Sequence, residues 1–188
     1  MQTEALQGGF ADPAVDAAHA FRAAMEAMAR PGTIQTVAGA EPPAPLSQAA
    51  GVLLLTLCDA ETPLHLAGDH DCAAVRDWVV FHTGAPLVDA EKAMFALGDW
   101  ASLQPLECFP VGTAQYPDRS TTLLVEMSAL EARGATLSGP GIRERAALSL
   151  PEVAAFQRNA MLYPLGLDFY FTAGAQLAAL SRSTTVEG

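Results

Sequence analysis

Helical and strand periodicities alternate along this chain, and their punctuation separates them. Asp12-Pro13 opens a helix, with Asp as N-cap and proline at the first helical position, where its missing amide costs nothing. Asp16 adds negative charge to the first turn, and Ala14, Ala17 and Ala18 favour helix. Phe21, Met25 and Met28 recur at i, i+4 and i+7, which predicts that they form the buried face. Arg30-Pro31-Gly32 ends that helix. Thr33 to Val37 reads as a strand, and the proline-rich Ala40 to Pro45 as a loop. The leucines and alanines of Ser47 to Leu57 favour a helix buried on most sides, although Val52 to Leu57 alone also fits a strand.

After a turn at Asp59 to Thr62, Pro63 to Ala67 reads as a short strand. Asp69-His70-Asp71 is expected to cap a helix with Val75, Trp78, Val79 and His82 on one face, ended by Thr83-Gly84-Ala85-Pro86. Ala93 to Leu97 reads as a strand, with Lys92 at its start. Asp99 to Cys108 reads as a short helical piece, and Pro110 to Arg119 as a loop. Thr121 to Met127 and the shorter Thr136 to Ser138 are strands, Gly139-Pro140-Gly141 breaks the chain, and Pro151 to Met161 is a helix. Leu167, Phe169 and Phe171 then alternate with Asp168, Tyr170 and Thr172 in a period of two. Ala173-Gly174-Ala175 turns the chain so that Leu177 to Leu180 pairs antiparallel with this strand.

Links such as Met127 to Thr136 are too short for a parallel crossover, so the sheet must be mixed. The expected fold class is α/β: a three-layer αβα sandwich with a mixed β-sheet and helices on both faces. The length of 188 residues predicts one domain over 1–188, with Met1 to Phe10 as a flexible lead-in.

Composition narrows the partners. Half of the residues are apolar (51%) and only 16% are charged, so part of the apolar surface is expected to lie under a partner. A net charge of −11 argues against a nucleic-acid groove or an anionic membrane surface. A small anionic ligand needs only local amides and an arginine or two. Lys92 is the sole lysine against nine arginines. Cys58, Cys72 and Cys108 are far apart and form no CxxC, which predicts free thiols in a reducing cytoplasm and no metal site. The longest apolar run, Gly51 to Leu57, is too short to span a bilayer, and no secretory signal opens the chain.

Three places could carry chemistry. Gly139 and Gly141, with Arg143 close behind, would let backbone amides and a guanidinium meet an anion. The same residues describe a tight turn with arginines in solvent, and motif specificity favours that reading, because they match neither GxGxxG nor GxxxxGK[ST]. Asp168, where a turn becomes a strand, and Arg182 and Thr184, just past the partner strand, form a polar exit from the final hairpin. That exit reads either as a site or as a solvated terminus. His82, at a helix C-terminus, reads as a cap packed on Trp78 or as an ionisable site group. His19 and His65 have no spaced ligand. No GxSxG elbow, HExxH or Cys-His signature is present.

Several segments together resemble one family. They are Ala20-Phe21-Arg22 with Met28 and Pro31-Gly32; Leu53-Leu54-Leu55-Thr56-Leu57 with Asp59 and Thr62-Pro63; Phe81-His82-Thr83 with Ala85-Pro86-Leu87; Leu137 to Ile142; and Pro164 to Asp168 with Arg182-Ser183-Thr184-Thr185. In this order, over nearly the whole chain, they resemble the H subunit (PhnH) of the bacterial carbon–phosphorus lyase system. The resemblance implies a subunit of a core complex that joins an alkylphosphonate to the ribose C1′ of ATP and releases adenine. That step is attributed to subunit I acting with G, H and L, and a separate radical subunit then cleaves the carbon–phosphorus bond. It implies partners G, I and J, a homodimer in isolation, and a fold like the large domain of pyridoxal-phosphate transferases without that cofactor. It brings no defined catalytic role onto this chain. The alternative is a subunit that binds nucleotide or phosphonate itself, through Gly139, Gly141, Arg143, Arg182, Thr184 and His82 with Asp168.

Overall fold

The computed structural model describes residues 7–188. The expected lead-in therefore falls partly outside the described residues. Within them, the Gln7 carbonyl accepts from Trp78 Nε1 at 2.9 Å, and that of Gly8 from the Glu41 amide at 2.9 Å.

The chain runs α1 (Pro13–Ala29), β1 (Gln35–Thr36), α2 (Gln48–Leu57), β2 (Leu64–Leu66), α3 (Ala73–Thr83), β3 (Phe95–Asp99), β4 (Thr122–Glu126), β5 (Ala135–Ser138), β6 (Ala146–Leu148), α4 (Val153–Ala160), β7 (Asp168–Ala173), β8 (Gln176–Leu180) and β9 (Thr185–Glu187). Six strands form a mixed sheet in the order β1-β8-β7-β4-β3-β2. Strands β2, β3, β4 and β7 are parallel; β8 pairs antiparallel with β7, and β1 with β8. The final hairpin forms as its alternation requires, with Phe169 opposite Leu180 and Phe171 opposite Ala178.

Period-two alternation sends neighbouring residues of each strand to opposite cores. Leu66, Leu97, Leu124, Tyr170 and Ala179 face a layer made of α1, α2 and α3. Ala96, Leu123, Val125, Phe169, Phe171 and Ala178 face the other side. There the cover differs from the expected helical layer: α4 shares it with a small antiparallel sheet in the order β6-β5-β9. Strands β6 and β9, three residues each, are too short to announce themselves by periodicity. Phe156 of α4 anchors this side, with ring centroids 4.9 Å from Phe169, 5.1 Å from Trp100 and 5.7 Å from Phe171.

Helix α1 overturns most of the expected face. Phe21 and Met25 are 48% and 52% exposed, while Ala20, Ala24 and Ala27 are buried and, of the expected three, Met28 alone packs against the core. This helix carries two apolar stripes, and the alanine stripe wins because it packs closely on α2 and β8, whose contact residues are small as well (Ala49, Ala50, Ala179). The cap of α3 is a second correction. Gly68–His70 forms a separate 3-10 turn, Cys72 holds the N-cap position, and Asp71 pairs with Arg76 instead. A third concerns Lys92, which ends the 3-10 turn Ala90–Lys92, three residues before β3 begins at Phe95.

Burial also sorts the thiols. Cys58 is buried beneath the helical layer, and that burial pushes its pKa up to about 12. Cys72 and Cys108 are half-buried. Iodoacetamide at neutral pH is expected to label Cys72 and Cys108 first and to leave Cys58 unmodified until the chain is unfolded, because the thiolate is the reactive form. Peptide mass spectrometry reads this directly, and native labelling of Cys58 at the rate of the other two would contradict it.

Candidate functional site

The polar exit of the final hairpin is an ordered structure. Strands β7 and β8 bring Asp168 and Arg182 side by side, 14 residues apart in sequence. The Arg182 backbone amide donates to Asp168 Oδ1 at 2.8 Å, and its Nε lies 3.2 and 3.1 Å from the two carboxylate oxygens. Arg182 Nη2 reaches Asp168 and Ser120 Oγ, and Nη1 donates to the Pro117 carbonyl at 2.6 Å. The two side chains are 14% and 22% exposed. One guanidinium thus ties the 110–121 loop to the hairpin, and most of its donors meet protein acceptors. Tyr170, two residues along β7, has its phenol pushed up to about 12 by burial, with the Asp168 charge adding to the effect.

Thr184 is buried in the turn that follows. Its hydroxyl lies 3.0 Å from Ser181 Oγ, and its amide donates to the Ser181 carbonyl at 3.0 Å. Gly139 packs on this turn: a Cβ there would sit 3.2 Å from the Ser183 carbonyl oxygen. Gly141, at φ +81°, presses on the end of α1, where a Cβ would come within 1.8 Å of the Ala29 carbonyl oxygen. The two glycines therefore serve close packing of the β5–β6 turn between α1 and the hairpin exit. Arg143 lies exposed on that turn.

His82 does not join this group. It packs on Trp78 as expected, with ring centroids 4.9 Å apart, but it caps no α3 carbonyl; its Nε2 lies 3.2 Å from the Gln7 carbonyl. The helix ends instead on Gly84 in the left-handed region, whose amide donates to the Val80 carbonyl.

Other polar anchors escaped the sequence reading. Asn159 is buried and clamps both backbone groups of Leu167, accepting from its amide at 2.8 Å and donating to its carbonyl at 2.9 Å. Glu126 accepts from the Ser47 amide at 2.7 Å, before the N-terminus of α2, and from Thr172 Oγ1 at 2.9 Å. A polar residue flanked by apolar ones, as Glu126 is by Val125 and Met127, was the available signal. Its partners, 46 and 79 residues away, left no local pattern. Among the described residues no three His, Cys, Asp or Glu side chains gather as metal ligands. No described helix is long and apolar enough to cross a membrane.

A family described as "Bacterial phosphonate metabolism protein (PhnH)" matches residues 8–187. Among curated relatives, the "Alpha-D-ribose 1-methylphosphonate 5-triphosphate synthase subunit PhnH" of Rhizobium meliloti (strain 1021) is 38% identical, covering 99% of this chain and 98% of the relative. The "Putative C-P lyase subunit protein HtxG" of Stutzerimonas stutzeri is 28% identical, covering 89% and 84%.

Proposed function

This chain belongs to the PhnH family of bacterial phosphonate metabolism proteins, and from that premise we propose that it is a subunit of a carbon–phosphorus lyase assembly. In this reading it supports the transfer of an alkylphosphonate to the ribose C1′ of ATP by shaping and holding its partners, and other subunits supply the reacting groups. The partners are subunits G, I and J, the isolated chain is a homodimer, and the assembly works in the cytoplasm. A likeness to the large domain of pyridoxal-phosphate transferases belongs to the same proposal, and the mixed six-stranded sheet supports it.

The observation that carries the proposal is the outward stripe of α1. Phe21 and Met25, one turn apart, stand exposed on a helix whose inner face is already filled by alanines. Large apolar side chains left about half exposed one turn apart on a helix fit an interface that is covered in the assembly. Met161, 78% exposed, and Tyr163 offer a second apolar patch at the end of α4.

The test is a double variant, Phe21→Asp with Met25→Asp, co-expressed with the partner subunits. Both positions are exposed, so the isolated variant is expected to keep its circular dichroism spectrum and to lose no more than about 0.5 kcal/mol per site. Co-purification with the partners is expected to fall at least about tenfold, the loss of roughly 1.4 kcal/mol or more of binding energy. Recovery of the full assembly in parental yield would rule out α1 as the interface.

A further inference from the structure

A cleft of about 390 Å³ opens beside the edge strand β2. That is the size of a small-ligand site, which typically spans about 300–1,000 Å³. Three pieces of chain converge on it: β2 with His65, the start of α3 with Arg76 and the preceding Asp71, and the turn before β3 with Asp89 and Lys92. None of these residues takes part in the Asp168–Arg182 cluster or in the apolar stripe of α1.

His65 Nδ1 lies 3.0 Å from the Val88 carbonyl oxygen. A carbonyl only accepts, so Nδ1 carries a proton, and Nε2 is the ring nitrogen left for a ligand. Arg76 gives Nε and Nη2 to the two oxygens of Asp71, with Nη2 at 2.8 Å, and keeps its other N–H groups. The hydrogen bond from Arg76 holds the Asp71 carboxyl below the usual carboxylate range, so the pair stays ionised. Among the described residues Lys92 and Asp89 form no salt bridge, although they are three residues apart and joined by the Lys92 amide to the Asp89 carbonyl at 3.0 Å.

The cleft therefore offers two kinds of group at once. Lys92 and the remaining N–H groups of Arg76 are cationic donors that suit a phosphate. The Asp89 carboxylate only accepts, so an ionised phosphate oxygen cannot meet it, whereas a hydroxyl can meet both Asp89 and His65 Nε2. A free phosphate would bring its charge against Asp89; a neutral sugar would leave the cations unused. We propose that this cleft binds a small phosphorylated sugar, its phosphate between Lys92 and Arg76 and its hydroxyls on Asp89 and His65.

The experiment is calorimetry on the full chain with ribose 5-phosphate, inorganic phosphate and ribose, repeated with Lys92→Met and Asp89→Asn. Both substituted side chains are exposed, and the fold of each variant is checked by its thermal midpoint. Ribose 5-phosphate is expected to bind with a Kd below about 1 mM, and phosphate about tenfold more weakly or worse. Lys92→Met is expected to weaken ribose 5-phosphate about tenfold. Asp89→Asn is expected to weaken the sugar phosphate while leaving phosphate unchanged or tighter. Absence of ribose 5-phosphate binding, equal binding of inorganic phosphate, or binding indifferent to Lys92→Met would each overturn the assignment.

Discussion

Replacing Gly141 by alanine is expected to destabilise the protein by about 3 kcal/mol, from roughly 1–2 for a side chain in the left-handed region and a further 1–3 for overpacking. The obstacle is rigid. The new Cβ would meet the Ala29 carbonyl oxygen at 1.8 Å, and that atom belongs to the last turn of α1. Relief requires the β5–β6 turn to lift away from α1 or the helix end to fray. Gly174 provides the control. It too has positive φ, at +57°, but nothing lies within 4 Å of a Cβ placed there. Gly174→Ala should therefore cost only the conformational strain, roughly 1–2 kcal/mol. Urea unfolding of both variants beside the parent separates the two contributions. Equal losses at the two positions would show that the contact with Ala29 contributes nothing.

Arg182→Met is expected to cost about 2–3 kcal/mol. Breaking a fully buried ion pair typically costs about 3–5 kcal/mol, because the surviving charge stays desolvated. Here Asp168 remains 22% exposed and keeps the backbone amide of residue 182, so water and one donor soften the loss. The variant also gives up the bonds to Ser120 and to the Pro117 carbonyl, which hold the 110–121 loop. Limited proteolysis should accordingly open that loop first. Adding Asp168→Asn should recover part of the stability, since the uncompensated charge is gone, and the double-mutant cycle measures the coupling. A loss under about 0.5 kcal/mol in Arg182→Met, the range of a surface substitution, would mean that the cluster is ornamental to the fold.

The two variants also mark the limit of reading a site from residue types. Arg182, Asp168 and Thr184 were legible as a polar group at the hairpin exit, and the structure does assemble them there. What residue types could not convey is how many of their bonds the chain itself completes. Arg182 meets a carbonyl 65 residues away and a hydroxyl 62 residues away, and neither Pro117 nor Ser120 stands out in sequence. Gly139 and Gly141 read as a tight turn ahead of a phosphate cradle for want of a motif, yet glycine answers both needs with the same absence of a side chain. The neighbour that occupies the space, a helix-end carbonyl beside Gly141, is visible only in three dimensions.

The sequence by itself determined the places of the four α-helices, the antiparallel hairpin of β7 and β8, the mixed character of the sheet and the family. Those are local properties. Alternation, capping residues and each short matching segment span only a few residues and survive any packing; the short link from Met127 to Thr136, by contrast, joins strands of different sheets. The tertiary structure alone decided which stripe of α1 turns inward, that a three-stranded sheet shares the second face with α4, and what Arg182 holds. Periodicity identifies the apolar stripes of a helix but does not rank them. The choice between alanines and Phe21 with Met25 depended on how closely α2 and β8 approach, and that distance is a property of the packed whole.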